Sequence, residues 1–450
     1  MRLEHAHLTE RFGAVRIHEL QRVIELDSGA GHVDDLVDHA WTGQLVPVGA
    51  LRAIEREMVV VIPCMNETRR VIEGVLSGIP HDCLIVLVSN SSRNPVDRYQ
   101  IEQQTVEQFC RLAGRPALTI HQRDPGLASA LKAAGMPELI DHDGLVRTGK
   151  GEAMLIGLSL AALTGRKHVG FIDADNYVPG AVNEYCKAFA AGLYLADSPY
   201  AMVRISWHSK PKMRDGRLFF SRRGRASEVT NHFLNRLIAE HSGFGTDVVT
   251  TGNAGEHALT LELGLRMRMA GGFAVEPFEF VDLFEQFGGV VDSTHPDVMS
   301  TSVSVRQIET RNPHFHEDKG DGHVRDMRLQ ALNVLYHSPV CLPAVREDIV
   351  EFMLAQGALA PGAVPARERV YPPLSSLALD RVLDVLVAEA DTFHQIERRA
   401  PAGLRLDPPI NRVGRPLPVP PVPVPAPVPI DLGWSAGGAE PVNGAAEQAT

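Results

Sequence analysis

Phe171-Ile172-Asp173-Ala174-Asp175-Asn176 sets two carboxylates one residue apart at the end of an apolar run, His168–Asp173. Carboxylates at the edge of a core are costly unless a cation or hydrogen-bond donors compensate them. Just past a strand, such a pair can address a divalent metal and a ribose or phosphate together. The plain alternative is a loop-capping aspartate; the position after a buried strand favours the functional one. Val61–Glu67 is a second candidate, because a strand leaving through Pro63 into Asn66-Glu67 presents acceptors where a nucleotide base or ribose could dock. Asn66 could equally cap a helix with Glu67 in its first turn.

Three further segments carry cations or exposed amides. Gly144 to Lys150 has the spacing GxxxxGK, but the next residue is Gly151 rather than Ser or Thr, and no strand leads directly into the loop. That excludes a phosphate-loop NTPase. Arg147, Thr148, Gly149 and Lys150 remain as an anion site ahead of a helix. Gly252, Asn253, Ala254 and Gly255 are expected to precede a helix from about Glu256 to Met267, with free amides forming an anion-binding nest. Arg311–Asp326 packs His314, His316 and His323 among Arg311, Lys319 and Arg325. The spacing is not HExxH, so a metalloprotease zinc site is not supported. One of these histidines could share a metal with Asp175.

The elements that must position these residues alternate between strand and helix. Met58–Pro63, Leu84–Ser89, Ala117–Gln122 and His168–Asp173 read as buried strands. Helices are expected over Glu67–Leu76, Val96–Leu112 and from near Gly149. Continuous apolar strands with intervening helices mean a parallel sheet covered on both faces. Ligands of such sheets sit beyond the carboxyl ends of the strands, where all the polar segments above fall. Ala201–His208 and Arg217–Arg223 read as two strands joined across the charged KPKMRDG turn, followed by a helix over Ser227–Ile238. Residues 1–57 read as a helix over about Ile17–Leu26 plus a Gly- and Asp-rich loop.

The chain of 450 residues has 44% hydrophobic and 22% charged residues, enough for a sizeable core. Its formal charge of -11 argues against general nucleic-acid binding while leaving room for an anionic small molecule. Five scattered cysteines without a CxxC pair fit neither a disulfide framework nor a thiolate zinc site. The polar N-terminus and the lack of a long apolar run point to a cytoplasmic protein with no membrane association. From Pro401 to Pro429 eleven prolines, many alternating with valine, imply polyproline II and then a disordered tail. The expected organisation is an N-terminal extension (1–57), an α/β core (58–200), a further region that completes the site (201–375), a C-terminal helix (376–400) and the tail (401–450).

Taken in order, strand–PxxNE, strand–SNSS, strand–HQRDP, RTGK, FIDxDN, GNAGEH and RNPHxH resemble the mannosyl-3-phosphoglycerate synthase family of retaining GT-A-type glycosyltransferases. The resemblance covers about residues 1–375 and extends to GVLSGIP, Val305–His314 and Val370–Leu374. It departs at Cys64-Met65, where Thr-Arg would be more usual, and in the proline-rich tail. It implies a Rossmann-like mixed α/β sheet with helices on both faces and a smaller acceptor-side α/β region. The implied reaction is transfer of mannose from GDP-mannose to 3-phosphoglycerate, with glucose transfer as the alternative. A scaffold recruiting partners through its Pro-Val tail is the non-enzymatic one.

By the same resemblance, Pro63, Cys64, Met65, Asn66, Glu67, Ser89 and Gln122 hold the nucleotide, and Lys150, Asp173 and Ala174 contact the nucleotide sugar. Asp175 and His316 bind a divalent cation, with magnesium first and manganese, cobalt or zinc as alternatives, and His314 is the fallback ligand. Arg147–Gly149 and Gly252–Gly255 take the acceptor's phosphate and carboxylate. Asp175, Lys150 and Asp173 form the catalytic set. A homodimer is compatible with this organisation.

Overall fold

The computed structural model describes residues 1–27, 43–176, 178–214, 217–221, 224–315 and 320–397. Runs of β-branched and apolar residues build the middle of a large mixed sheet. In Met58–Cys64 and Leu84–Ser89 alternate side chains enter different cores: Val59, Val61, Val86 and Val88 one, Val60, Ile62, Ile85 and Leu87 the other. That is the period-two alternation of a sheet buried on both faces. Helix Lys150–Leu163 covers the first face and helix Pro179–Tyr194 the second.

Among the described residues the sheet has thirteen strands. Ala117–His121, Leu84–Ser89, Met58–Cys64 and His168–Phe171 are neighbours in that order and mutually parallel. His257–Thr260 comes next, antiparallel both to His168–Phe171 and to Ala201–Trp207. Val303–Thr310 then runs parallel to Ala201–Trp207. His394–Ile396 closes one flank against Ala117–His121. On the other flank Val303–Thr310 pairs with Val15–His18 and Gln21–Glu25.

Most expected elements appear within a few residues of their expected bounds. Thr68 caps helix Arg69–Gly78, Asp97 caps Arg98–Ala113, and Arg225–Ser242 is the helix after the charged segment. Leu379–Glu389 is a helix inside the 376–400 stretch.

Three expectations are overturned. Ile17–Leu26 is no helix but belongs to strands Val15–His18 and Gln21–Glu25, because both find partners in Val303–Thr310. Glu256–Met267 is no helix: His257–Thr260 is a central strand, followed by the single turn Leu261–Gly264. KPKMRDG is not all turn, since Lys210–Arg214 is itself a strand paired with Arg217–Ser221. The Gly- and Asp-rich loop at 28–42 and the proline-rich tail lie outside the described residues. Among the described residues no helix is long and apolar enough to cross a membrane.

Candidate active site

Asp173 stands two residues past the end of strand His168–Phe171, where the Ile172 amide still donates to Val61 O at 3.0 Å. Lys150 opens helix Lys150–Leu163, and its ammonium lies 2.7 Å from Asp173 Oδ1. Glu276, from helix Val275–Phe287, places Oε1 2.7 Å from the same nitrogen and is itself buried. Burial alone would lower the Lys150 pKa, but Asp173 and Glu276 overcome it and hold the amine above the ordinary lysine value. Lys150 is therefore a fixed cation shared by two carboxylates.

The loop Thr251–Gly255 forms the adjoining wall. A Cβ on Gly255 would stand 2.6 Å from Asp173 Oδ2 and 3.0 Å from Lys150 Nζ, so only glycine lets the loop approach the pair this closely. The expected helix-terminal nest is corrected here, because the loop leads into a strand. The Gly252 amide donates to Asn231 Oδ1 at 2.7 Å and the Ala254 amide to Thr251 O at 3.1 Å. Behind it, buried Arg204 donates to Thr251 O at 3.0 Å and to Glu276 O at 3.0 Å, and ion-pairs with Glu279. His257 Nε2 lies 2.8 Å from Glu279 Oε1. Burial would raise the Glu279 pKa, but the His257 and Arg204 charges bring it below the ordinary glutamate range.

Along the neighbouring strand ends, Cys64 and Ser89 are tied by a buried carboxylate. Glu102 accepts from Ser89 Oγ and Ser91 Oγ, both at 2.5 Å. Burial raises the Glu102 pKa, opposed by its hydrogen bonds from Ser89, Ser91 and Cys64. Ser91 Oγ in turn accepts the Asn66 amide at 2.6 Å, and Asn66 Oδ1 accepts the Ser92 amide at 3.0 Å. Asn66 has φ 61°, a left-handed backbone that asparagine tolerates better than most residues. Met65 and Asn66 are exposed, Pro63 and Glu67 half-buried, and Cys64 and Ser89 buried beneath them. Gln122 Nε2 donates to Arg147 O at 2.6 Å and Gly149 O at 3.2 Å, fixing the approach to Lys150. Thr148 is exposed on that approach, and Arg147 Nε donates to Glu138 O at 3.1 Å.

The third wall joins the DxD segment to Arg311–His314. Ala174 is buried and Asp175 half-buried. Asn176 Nδ2 donates to Asp173 O at 3.0 Å and to Glu256 Oε1 at 2.7 Å. Glu184, fully buried on helix Pro179–Tyr194, accepts the amides of Arg311 and Asn312 at 2.7 and 2.9 Å. His314 is buried, stacked on Trp207 at 4.2 Å, with Nδ1 3.4 Å from Tyr185 Oη. Burial raises the Tyr185 pKa, and Glu256, Glu184, Asp175 and Asp173 add to the shift. The half-buried Asp175 offers a carboxylate oxygen, a ligand type that suits a hard divalent cation. His316 lies outside the described residues. Among the described residues, Asp141, His142 and Asp143 group their ligand atoms within 4.8 Å, and Asp141 there is ion-paired to Arg123 at 2.6 Å.

Several site residues escaped the sequence reading: Glu276, Glu256, Glu102, Glu184, Tyr185, Arg204 and Asn231. One signal was available. Glu276, Glu279, Asp282 and Glu285 recur every third residue in the otherwise apolar VEPFEFVDLFEQF, and all four are buried. Carboxylates held in a buried helix need cations, which Lys150, Arg204 and Arg268 supply. Glu102 sits in a polar helix and carried no comparable mark, whereas Glu184 is a single carboxylate in the largely apolar, buried helix Pro179–Tyr194.

The site joins the carboxyl edge of an α/β sheet to buried carboxylates and a shared lysine, and the chain belongs to a family of glycosyltransferases. Residues 5–386 match the sequence profile of the mannosyl-3-phosphoglycerate synthase family, of which the chain is a member. It is 42% identical over 394 residues to mannosyl-3-phosphoglycerate synthase of Pyrococcus furiosus, covering 87% of this chain and 99% of that protein. The Aeropyrum pernix protein of the same name is 34% identical over 386 residues, 86% of this chain and 97% of that protein. Among solved structures, glucosyl-3-phosphoglycerate synthase from Mycobacterium tuberculosis, in complex with Mn2+, UDP-glucose and phosphoglyceric acid, aligns at 19% identity and TM-score 0.44. That alignment covers 74% of this chain and 96% of the other.

Proposed function

We propose that the chain transfers mannose from GDP-mannose to 3-phosphoglycerate with retention of configuration, giving mannosyl-3-phosphoglycerate, the precursor of mannosylglycerate. The observation that carries this is the family match over residues 5–386. The guanosine lies along Pro63–Glu67, above the buried Ser89–Glu102–Ser91 brace, with Gln122 at its side. Asp173, oriented by Lys150, contacts the donor sugar. Arg147–Gly149 receive the acceptor's phosphate and carboxylate, with the Gly252–Gly255 loop as the adjoining wall.

Asp175 and one imidazole of the His314–His316 segment would hold a divalent cation, which when bound supplies Lewis-acid screening of charge on the departing diphosphate. Transfer breaks the bond between the sugar's anomeric carbon and the diphosphate oxygen, and the electron pair leaves with GDP. The acceptor hydroxyl forms the new bond on the same face, and its proton passes to the departing phosphate oxygen. An oxocarbenium-like ion pair links the two events, without a glycosyl-enzyme intermediate. Lys150, already committed to two carboxylates, keeps Asp173 in place beside this centre.

The test is direct. Purified protein with magnesium or manganese is given 3-phosphoglycerate and, in turn, GDP-mannose, GDP-glucose and UDP-glucose. GDP release and an α-linked phosphorylated product are expected with GDP-mannose. Folded protein that releases no nucleotide from any donor would sink the proposal.

A further inference from the structure

Lys150 bridges Asp173 and Glu276 from the first position of its own helix, while Glu276 occupies the second position of helix Val275–Phe287. The bridge therefore depends on the spacing between two helix starts. A lysine cannot set that spacing, because its four-carbon stem is flexible and its ammonium follows whichever carboxylate comes near. The backbone beneath has to be held by other groups.

Glu152, in the first turn of the Lys150 helix, is the centre of such a brace. Its Oε2 accepts the Gly272 amide at 3.0 Å, and Gly272 opens the short turn Gly272–Ala274 that runs directly into helix Val275–Phe287. One carboxylate thus ties the start of the first helix to the approach of the second. Glu152 Oε1 accepts the Tyr371 hydroxyl at 2.7 Å. Tyr371 lies in strand Val370–Tyr371, antiparallel to Met269–Ala270, and the Gly271 amide donates to Arg369 O at 2.9 Å. A Cβ on Gly151 would stand 2.1 Å from Ala270 O, so the helix start rests on the backbone of that strand. Gln330 Oε1 accepts the Phe273 amide at 2.7 Å and steadies the turn from a further helix.

The brace is closed to water: Glu152 is 3% exposed and Tyr371 1%. A carboxylate in that position is stable only with donors fixed upon it, which Tyr371 and the Gly272 amide supply. Burial and the Glu152 charge push the Tyr371 pKa up, so the phenol keeps its proton at neutral pH and stays the donor.

We propose that Tyr371 and Glu152 are positioning residues for transfer, holding the two helix starts at the spacing that lets Lys150 bridge Asp173 and Glu276. The inference rests on the glycosyltransferase reading given above, since the spacing serves Asp173 beside the donor sugar. Neither residue touches substrate; Tyr371 acts through Glu152, and Glu152 through the Gly272–Glu276 segment.

The experiment compares Tyr371→Phe, Glu152→Ala, their double variant and Glu152→Gln with the parent, well below the melting temperature. With GDP-mannose and 3-phosphoglycerate, Tyr371→Phe should lower kcat roughly tenfold while both KM values move less than about threefold. The double variant should be no slower than Glu152→Ala, because Tyr371 has nothing left to act through. Glu152→Gln, which can still bond both partners, should recover most of kcat. In Tyr371→Phe, hydrogen exchange should speed up together at the start of helix Lys150–Leu163 and in the turn Gly272–Ala274. If Glu152→Ala does not fold, Tyr371→Phe on a Glu276→Gln background replaces the double variant and should add little to the loss from Glu276→Gln. A folded Tyr371→Phe with parental kcat, or losses that multiply in the combined variants, overturns the inference. If the parent releases nucleotide from no donor, the reaction assignment fails and exchange judges the brace alone: unchanged protection at both helix starts overturns it, and joint loss upholds it.

Discussion

Lys150 Nζ and Glu276 Oε1 lie 2.7 Å apart, joining the first residue of one buried helix to the first turn of another. Because Asp173 takes the other side of the same ammonium, Glu276 limits where the Asp173 carboxylate can sit. Glu276→Gln keeps the shape but removes the charge. It should lower kcat/KM by roughly a hundredfold through misplacement, while a Lys150–Asp173 pair persists. Glu276→Ala should also cost about 3 kcal/mol in urea denaturation, since a buried cation loses one partner. Unchanged kinetics for both variants would remove Glu276 from the site.

Gly255→Ala separates activity from stability. The new methyl would press on the side-chain ends of Asp173 and Lys150 rather than on backbone. Stability should fall by about 1 kcal/mol or less, whereas kcat should drop by roughly ten- to a hundredfold. Steady-state kinetics beside thermal melting checks both halves. A large melting shift with normal kcat contradicts the placement of this loop.

Asp175→Ala should leave the protein folded and slow transfer by about a hundredfold or more, with cation binding weakened in titrations. His316→Ala should behave alike. His314→Ala should differ, because His314 is buried, stacked on Trp207 and next to Tyr185. About 1 kcal/mol of stability should be lost with cation dependence retained. If His314→Ala abolishes cation dependence and His316→Ala does not, the ligand is His314.

Acid should destabilise the fold through two histidines far from the site chemistry. Burial lowers the His168 pKa to about 4, aided by Lys167; burial, Arg306 and Arg16 do the same for His18. Above pH 6.5 neither state is protonated, and their contribution is fully present. Between pH 6.5 and 4 the unfolded chain takes up protons that the native state refuses, so stability falls across that window and levels off below it. The loss from His168 is on the order of 2 kcal/mol or less. Melting temperatures from pH 7.5 to 4 should drop less steeply for His168→Asn. An identical slope refutes the assignment.

The parallel half of the sheet was legible because Met58–Cys64, Leu84–Ser89 and His168–Phe171 are continuous apolar runs, whose burial on two faces needs no partner to be guessed. The DxD segment was legible for the same reason, being polar where such a run stops. Ile17–Leu26 misled because Ile17, Leu20, Val23 and Ile24 have helical spacing, while the partners that make it strand lie nearly 290 residues away. Glu256–Met267 has good helix formers, yet its first part is held as a strand by two neighbours that only the fold supplies. The acceptor-side geometry failed with it, since the nest was inferred from a helix terminus that does not exist. Lys150 was found, but not its second carboxylate, because Glu276 is 126 residues away and meets it only through packing.

The pairing of His394–Ile396 with Ala117–His121 bears on how the chain is made as well as on how it stands. A ribosome finishes the Ala117–His121 strand long before it reaches His394, so the growing polypeptide carries an uncovered sheet edge through most of its synthesis. Unpaired edges of this kind invite pairing with other chains. The late strand works as a seal applied at the end of assembly: Thr392, just ahead of it, bonds Asp124 at 2.6 Å and receives the His121 amide at 3.1 Å. Nascent chains stalled short of residue 390 would be the aggregation-prone species.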